Sequence, residues 1–266
     1  MASWALPERI TAAASQSPWQ LPTDVFVRRA EQYLANPVGP SFDRARQALH
    51  PAGSVLDVGA GAGAASLPLH QQLTDLTAVD TEPAMLAALA DRASGLGLPT
   101  RTVLGRWPEV ADLVPMADLV VCHHVFFNVP DLASFALELT RHARRRVVAE
   151  ITAVHPVSPL NPLWQRLHGL ARPVGPTAED AIEVLAKAGI DVRWQRWPRP
   201  PRTEYSSFDQ LLSVTRRRLC LPEERTGELA AALLDLGVDP AHPRDLGGAD
   251  DLVSLWWDIP GWSPSS

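Results

Sequence analysis

The sequence holds only two cysteines, Cys122 and Cys220, too few for a disulfide framework and without the spacing of a metal-ligand set. No metal is expected, and a reducing cytoplasm is the expected setting. Positive charge is not in excess either. With 24 Lys and Arg against 30 Asp and Glu, a formal net charge of -6, nothing draws the chain as a whole toward phosphate backbones or anionic lipid. Nucleic acid and membrane are therefore not expected partners. No apolar run approaches a bilayer span, and the opening residues hold neither a basic leader nor an apolar stretch of signal-peptide length. Internal repeats and low-complexity tracts are absent. Apolar residues are abundant, 46% of 266, enough to build a large core.

Residues 1–50 read as helices broken by Pro7, Pro18, Pro22, Pro37 and Pro40, with Val25, Phe26, Ala30, Tyr33 and Leu34 on one stripe. They are expected to cap the domain that follows, residues 51–266. There, short apolar runs alternate with helical patterns. The runs are SVLDV (54–58), LTAVD (76–80), TRTVL (100–104), ADLVVCHH (117–124) and RRVVAEI (145–151). Helices are expected directly after the glycines at 59–63, from Pro83, and from Asp131 as N-cap. Strand and helix in alternation mean a parallel sheet covered on both faces. Thr177 with Asp180 forms a capping-box pattern for a further helix that Gly189 stops. Ile190, Val192 and Trp194 then alternate with polar residues, as in a half-exposed antiparallel edge strand, and DLVSLWWD (251–258) is the closing strand. Two inserts interrupt the scheme: a Pro-rich, irregular one at 152–176 and one at 198–248 with two helical patterns.

The stretch VLDVGAGAGAAS (55–66) carries the strongest motif. Glycines at 59, 61 and 63 permit positive φ and remove side chains where a ligand must approach the backbone. Gly59, Gly61 and Ala64 fit the dinucleotide fingerprint, and Asp80, at the end of the second strand, suits a ribose diol. The glycines alone do not choose a cofactor. Asp57 does better: it would put a carboxylate beside a pyrophosphate, whereas the ammonium and sulfonium of S-adenosylmethionine would favour one.

In order and spacing, VLDVGAGAG, LTAVDTEPAML, ADLVVCHHVFFNVPDL, RRVVAEI and the helix–strand pair at 177–197 resemble the class I S-adenosylmethionine-dependent methyltransferases. The resemblance implies a Rossmann-like α/β fold, a seven-stranded, mostly parallel sheet with an antiparallel last strand and helices on both faces. It implies a cofactor site at the carboxyl ends of the first, second and fourth strands. By position, Asp57 would neighbour the methionine end, Gly59, Ala60 and Gly61 would form the turn over it, and Asp80 would bind both ribose hydroxyls. Thr81 and Met85 would sit beside sugar and adenine, and His123 would reach the cofactor from the fourth strand. Many relatives carry an acid after the third strand for the adenine amine. This chain reads LGRWPEV there, which leaves Arg106 or Trp107 to stack on or rim the adenine.

Methyl transfer is an in-line displacement, so alignment and exclusion of water supply most of the catalysis, and a base is needed only for an acceptor that keeps its proton. His124 and His155 are the candidate bases. His123 and His124 are adjacent, so in extended chain they point to opposite faces and only one can meet a substrate. Phe127, Asn128, Glu150, Trp19 and Trp164 are the candidate acceptor contacts, although packing roles suit Glu150, His155 and both tryptophans as well. Trp194, Trp256 and Trp257 read as core or face-packing residues of the terminal strand pair. Asn128 falls where some amino-group methyltransferases carry Asn or Asp before Pro, but HHVFFNVP does not reproduce Asn-Pro-Pro-Tyr, and methylation of nucleic-acid bases is not supported. The sequence therefore predicts methyl transfer from S-adenosylmethionine to a small-molecule acceptor, with the N-terminal helices and inserts building the acceptor site. The alternatives are a non-catalytic S-adenosylmethionine-binding module or regulatory subunit and, less favoured because of Asp57, an NAD-dependent oxidoreductase.

Overall fold

A computed structural model describes residues 7–11, 23–199, 205–244, 246 and 251–263. The chain divides into two compact units.

The larger unit, residues 26–153, 176–199 and 250–266, is built on one sheet. Its strands are β1 (Gly53–Val58), β2 (Leu73–Asp80), β3 (Thr100–Leu104), β4 (Ala117–His123), β5 (Ala143–Thr152), β6 (Arg193–Pro198) and β7 (Asp251–Asp258), in spatial order β3-β2-β1-β4-β5-β7-β6. β1 pairs parallel with β2 and β4, β2 with β3, and β4 with β5, while β7 runs antiparallel to β5 and β6. This is the Rossmann-like class I methyltransferase sheet. The strand order reverses between β1 and β4, and open α/β sheets place their ligands at the carboxyl ends on either side of such a switch.

Strands buried on both faces read as continuous apolar runs. One face packs Leu56, Val58, Val120, Val147 and Leu255 under α5 (Leu132–His142) and α7 (Ala178–Lys187). The other packs Val55, Leu76, Leu119 and Val148 under α3 (Pro40–Ala48) and α4 (Pro83–Gly95). The start signals hold: Asp131 accepts from the Ser134 amide at 3.1 Å, Thr177 and Asp180 close the full capping box, and Pro83 opens α4. α2 (Thr23–Ala35) contributes Ala30, which packs on Ala62 and Met85.

Three expectations are corrected. The segment after the glycines is not an α-helix. Residues 61–66 form turns and Leu67–Gln72 a 3-10 helix with Pro68 in its first turn, where the missing N–H keeps an α-helix from running through from the glycines. The edge strand begins later than the alternation implied, at Arg193, which leaves Trp194 53% exposed rather than in the core. Residues 152–176 are not wholly irregular either. Ser158–Leu160 is a 3-10 turn leading into α6 (Asn161–His168), so Pro162 falls in a first helical turn, where it is tolerated.

The smaller unit, residues 1–25, 154–175 and 200–249, is helical among its described residues. After α1 (Glu8–Thr11) and the α6 just named come α8 (Phe208–Arg218) and α9 (Thr226–Asp235). Leu160, Leu163, Trp164, Leu167, Leu212, Leu229 and Leu233 form its core.

Candidate functional site

The end of β1 and the turn after it are built around two carboxylates. Asp57 is fully buried, and its Oδ2 accepts from Ser66 Oγ at 2.6 Å. Its Oδ1 has no hydrogen-bond partner among the described residues. Burial pushes this carboxyl up to about 7; the Ser66 hydrogen bond opposes the rise and the charge of Asp80 adds to it. An unmatched acceptor at that depth fits a ligand that brings a cationic donor, and fits a phosphate poorly.

Asp80 ends β2 and fixes the turn from the other side. Its Oδ2 accepts from the Gly61 amide at 2.8 Å and its Oδ1 from the Glu82 amide at 2.9 Å. Each carboxylate oxygen keeps acceptor capacity for a further donor, as a vicinal diol requires. The amides of Gly59 and Ala60 are tied to the Val79 carbonyl at 2.8 and 3.0 Å. Gly59 has φ +71, and a Cβ there would stand 2.3 Å from Val125 Cγ2. Gly61, at φ +52, has nothing within 4 Å of where a Cβ would be, so the backbone is open to an approaching molecule.

The other candidates are dispersed. Thr81 and Arg106 are exposed. Met85 is buried against Ala30 and Ala62. Trp107 lies in the core under the sheet, its ring edge-on to His142 at 4.9 Å, and Phe127 is buried in the same cluster while Asn128 is exposed. His155 and Trp164 belong to the smaller unit. Trp164 is part of its core, with the ring of His168 at 4.9 Å, and burial together with the charge of Arg172 lowers His155 to about 4. Trp19 lies outside the described residues.

What the larger unit does bring together is His123, His124 and Glu150. They line a cleft with Ala64, Ala65 and Pro68 after the glycine turn, Arg29 and Tyr33 of α2, and Ser41 and Phe42 of α3. Both histidines line it, against the expectation from an extended chain, because the strand ends at His123 and His124 turns to φ +61. His123 Nε2 is buried without a partner among the described residues, and burial lowers its imidazole, partly offset by the Glu150 charge. The N-terminal helices were expected to help build the acceptor site, but the individual residues Arg29, Tyr33, Ser41 and Phe42 were not singled out for it; of these only Tyr33 lay on the named stripe. Sequence reasoning also missed Ser254, a buried serine in the apolar run of β7, which was the one signal available.

Residues 55–146 match the family model described as "Methyltransferase domain". Over 104 residues the chain is 34% identical to an uncharacterized protein of Haemophilus influenzae, a match spanning 38% of each chain. The fold is similar to that of the YcgJ protein of Bacillus subtilis, with TM-score 0.51 at 14% identity, covering 87% of this chain and 98% of that one. It is similar also to the BH2331 protein of Bacillus halodurans C-125, with TM-score 0.52 at 14% identity, covering 86% and 99%. No helix among the described residues is long and apolar enough to cross a membrane.

Proposed function

We propose, from the premise that residues 55–146 are a methyltransferase domain on a class I fold, that the protein transfers the methyl group of S-adenosylmethionine to a small-molecule acceptor. The observation that carries this reading is the pair of carboxylates around an open glycine turn: buried Asp57 with an unmatched oxygen, and Asp80 braced by two backbone amides. The cofactor supplies an activated methyl group on a cationic sulfur. The chain's own residues do the rest. Asp57 meets the cationic methionine end, Gly59, Ala60 and Gly61 form a floor without side-chain bulk, and Asp80 takes the ribose hydroxyls. A nicotinamide dinucleotide would set its pyrophosphate against Asp57, at a cost in charge repulsion. The cleft lined by Phe42, Tyr33, Arg29 and the two histidines has a mixed apolar and polar wall, as a small-molecule site does.

Calorimetric titration with S-adenosylmethionine, S-adenosylhomocysteine and NAD tests the reading. Binding of the first two, weakened by Asp80→Ala, is expected. Binding of NAD alone overturns it.

A further inference from the structure

One polar chain in the larger unit is neither part of the glycine turn nor ordinary packing. Trp197 Nε1 donates to Ser254 Oγ at 3.0 Å, Ser254 Oγ and Ser41 Oγ are 2.5 Å apart, and Ser41 Oγ donates to Glu150 Oε2 at 2.7 Å. Its direction is fixed at both ends. An indole N–H can only donate and a carboxylate can only accept, so Ser41 must give its hydrogen to Glu150 and receive that of Ser254. Ser41, Ser254 and Glu150 are 2%, 0% and 3% exposed, so this is a buried hydrogen-bonded network, which specifies geometry rather than merely tolerating polarity. Space has been made for it: a Cβ on Gly39, at φ +105, would lie 2.3 Å from Trp197 Cη2.

The free end of the chain meets His124. Glu150 Oε1 is 3.5 Å from His124 Nε2, and the Glu150 carbonyl accepts from the His124 amide at 2.6 Å. A non-glycine residue at φ +61 costs free energy, and backbone strain of this kind persists where surrounding contacts over-determine it, often at functional sites. Here the strain turns the imidazole into the cleft beside Arg29, Tyr33 and His123.

We infer that Glu150, oriented by Ser41, Ser254 and Trp197, is a positioning residue that holds His124 in the tautomer protonated at Nε2, so that Nδ1 is the base for an acceptor hydroxyl. This rests on the methyltransferase reading and names its acceptor class. In the step, the acceptor oxygen forms the new O–C bond and its hydroxyl proton passes to His124 Nδ1. The C–S bond breaks with its electron pair left on sulfur. The resulting imidazolium faces the Glu150 carboxylate, which offsets its charge, and returns the proton to water. A nucleophile that carries no proton at neutral pH would need none of this apparatus. At 3.5 Å the contact is at the long limit of a hydrogen bond, and the negative charge on Glu150 favours the hydrogen on the facing nitrogen, Nε2.

The test uses the full chain labelled with 15N-histidine, with imidazole nitrogen shifts read at neutral pH, and needs no acceptor. The wild type is expected to show His124 protonated at Nε2. In Glu150→Gln the polarity set by Trp197 gives the amide oxygen to Ser41 and turns the NH2 toward His124. The tautomer then inverts to Nδ1–H, while affinity for S-adenosylhomocysteine stays within about twofold. Trp197→Phe, which keeps an aromatic ring but loses the donor, relaxes that constraint, so Glu150→Gln added to it gives a mixture of tautomers. A wild-type protein protonated at Nδ1, or a tautomer indifferent to Glu150→Gln, overturns the inference. Failure of wild type to bind S-adenosylhomocysteine overturns the cofactor reading instead, whatever the tautomer.

Discussion

The backbone amide of Gly61 donates to Oδ2 of Asp80 at 2.8 Å, which locks the turn after the first strand to the end of the second before any ligand arrives. Asp80 thus serves the site twice, as a brace for the turn and as an acceptor facing outward. Asp80→Ala removes both, and affinity for S-adenosylhomocysteine is expected to fall by about 10- to 100-fold, or roughly 1.4–2.8 kcal/mol. Asp80→Asn keeps an acceptor for only one of the two amides and falls between. Isothermal titration calorimetry reads the series.

The glycines of the turn separate by cause. Gly59→Ala meets both positive φ and Val125 Cγ2 at 2.3 Å, and is expected to cost about 2–3 kcal/mol of stability. Val125→Ala in the same chain recovers part of it. Gly61→Ala has open space and only the backbone term, about 1 kcal/mol, yet its methyl group stands where a ligand must approach, so cofactor affinity drops more than stability does. Urea denaturation alongside calorimetry distinguishes the two.

Asp57 ties stability to pH in an unusual direction. Its carboxyl is raised from 3.8 to about 7, so the folded state holds a proton that the unfolded chain has released. The associated stability is fully present below pH 3.8, declines as pH rises through about 7, and is flat beyond. The span is on the order of 4 kcal/mol. Asp57→Asn, which still accepts from Ser66, removes this slope, so the variant gains on the wild type at pH 8 while binding S-adenosylmethionine more weakly. Denaturation curves at pH 5 and 8 check the first part. A wild-type slope unchanged in the variant would refute it.

At the other end of β5, Arg146 is 1% exposed and donates to Asp258 at 2.6 Å, to the Arg44 carbonyl at 3.0 Å and to Gln47 Oε1 at 3.0 Å. Burial pushes the Asp258 carboxyl up, but the hydrogen bonds from Arg146 and Arg193 outweigh it and hold the group below the usual carboxylate range. Asp258→Ala strands a buried cation and is expected to cost about 3 kcal/mol, part of which Arg146→Met in the same chain restores. Thermal unfolding of the single and double variants checks the coupling.

How much of this was legible in the sequence varied with the range of the forces involved. The bounds expected for β3 and β7 hold, and Asp131 and Thr177 cap the helices they were assigned, because β-propensity in the first, apolar patterning in the second and capping are decided by residues within one element. The helix after the glycines was misread because Pro68 outweighs an otherwise helical composition. Alternation puts Trp194 and Trp197 on opposite faces of their strand, and the pairing of Gln195 with Ser254 puts Trp197 on the face of Ser254, which the sequence pattern does not reveal. Asp57, Gly61 and Asp80 could be placed because a turn brings them together within one βαβ unit. Glu150 was singled out as a candidate acceptor contact, but its association with Ser41 and Ser254 could not be read, because they meet across separations of 109 and 213 residues that no local pattern encodes.

The position of β7 gives the chain a history as well as a shape. It lies between β5 and β6, yet it is translated after both. While the ribosome is still reading residues 199–250, β5 has an open edge and β6 has no partner in the sheet. Ser254, the middle member of the chain running from Trp197 to Glu150, does not yet exist. Completion of the cleft's polar wall therefore waits on β7, and a chain that stopped before it would carry the whole glycine turn but lack the link from Trp197 through Ser254 to Ser41. The glycine turn and the complete polar chain are thus encoded by stretches of sequence that emerge at different moments.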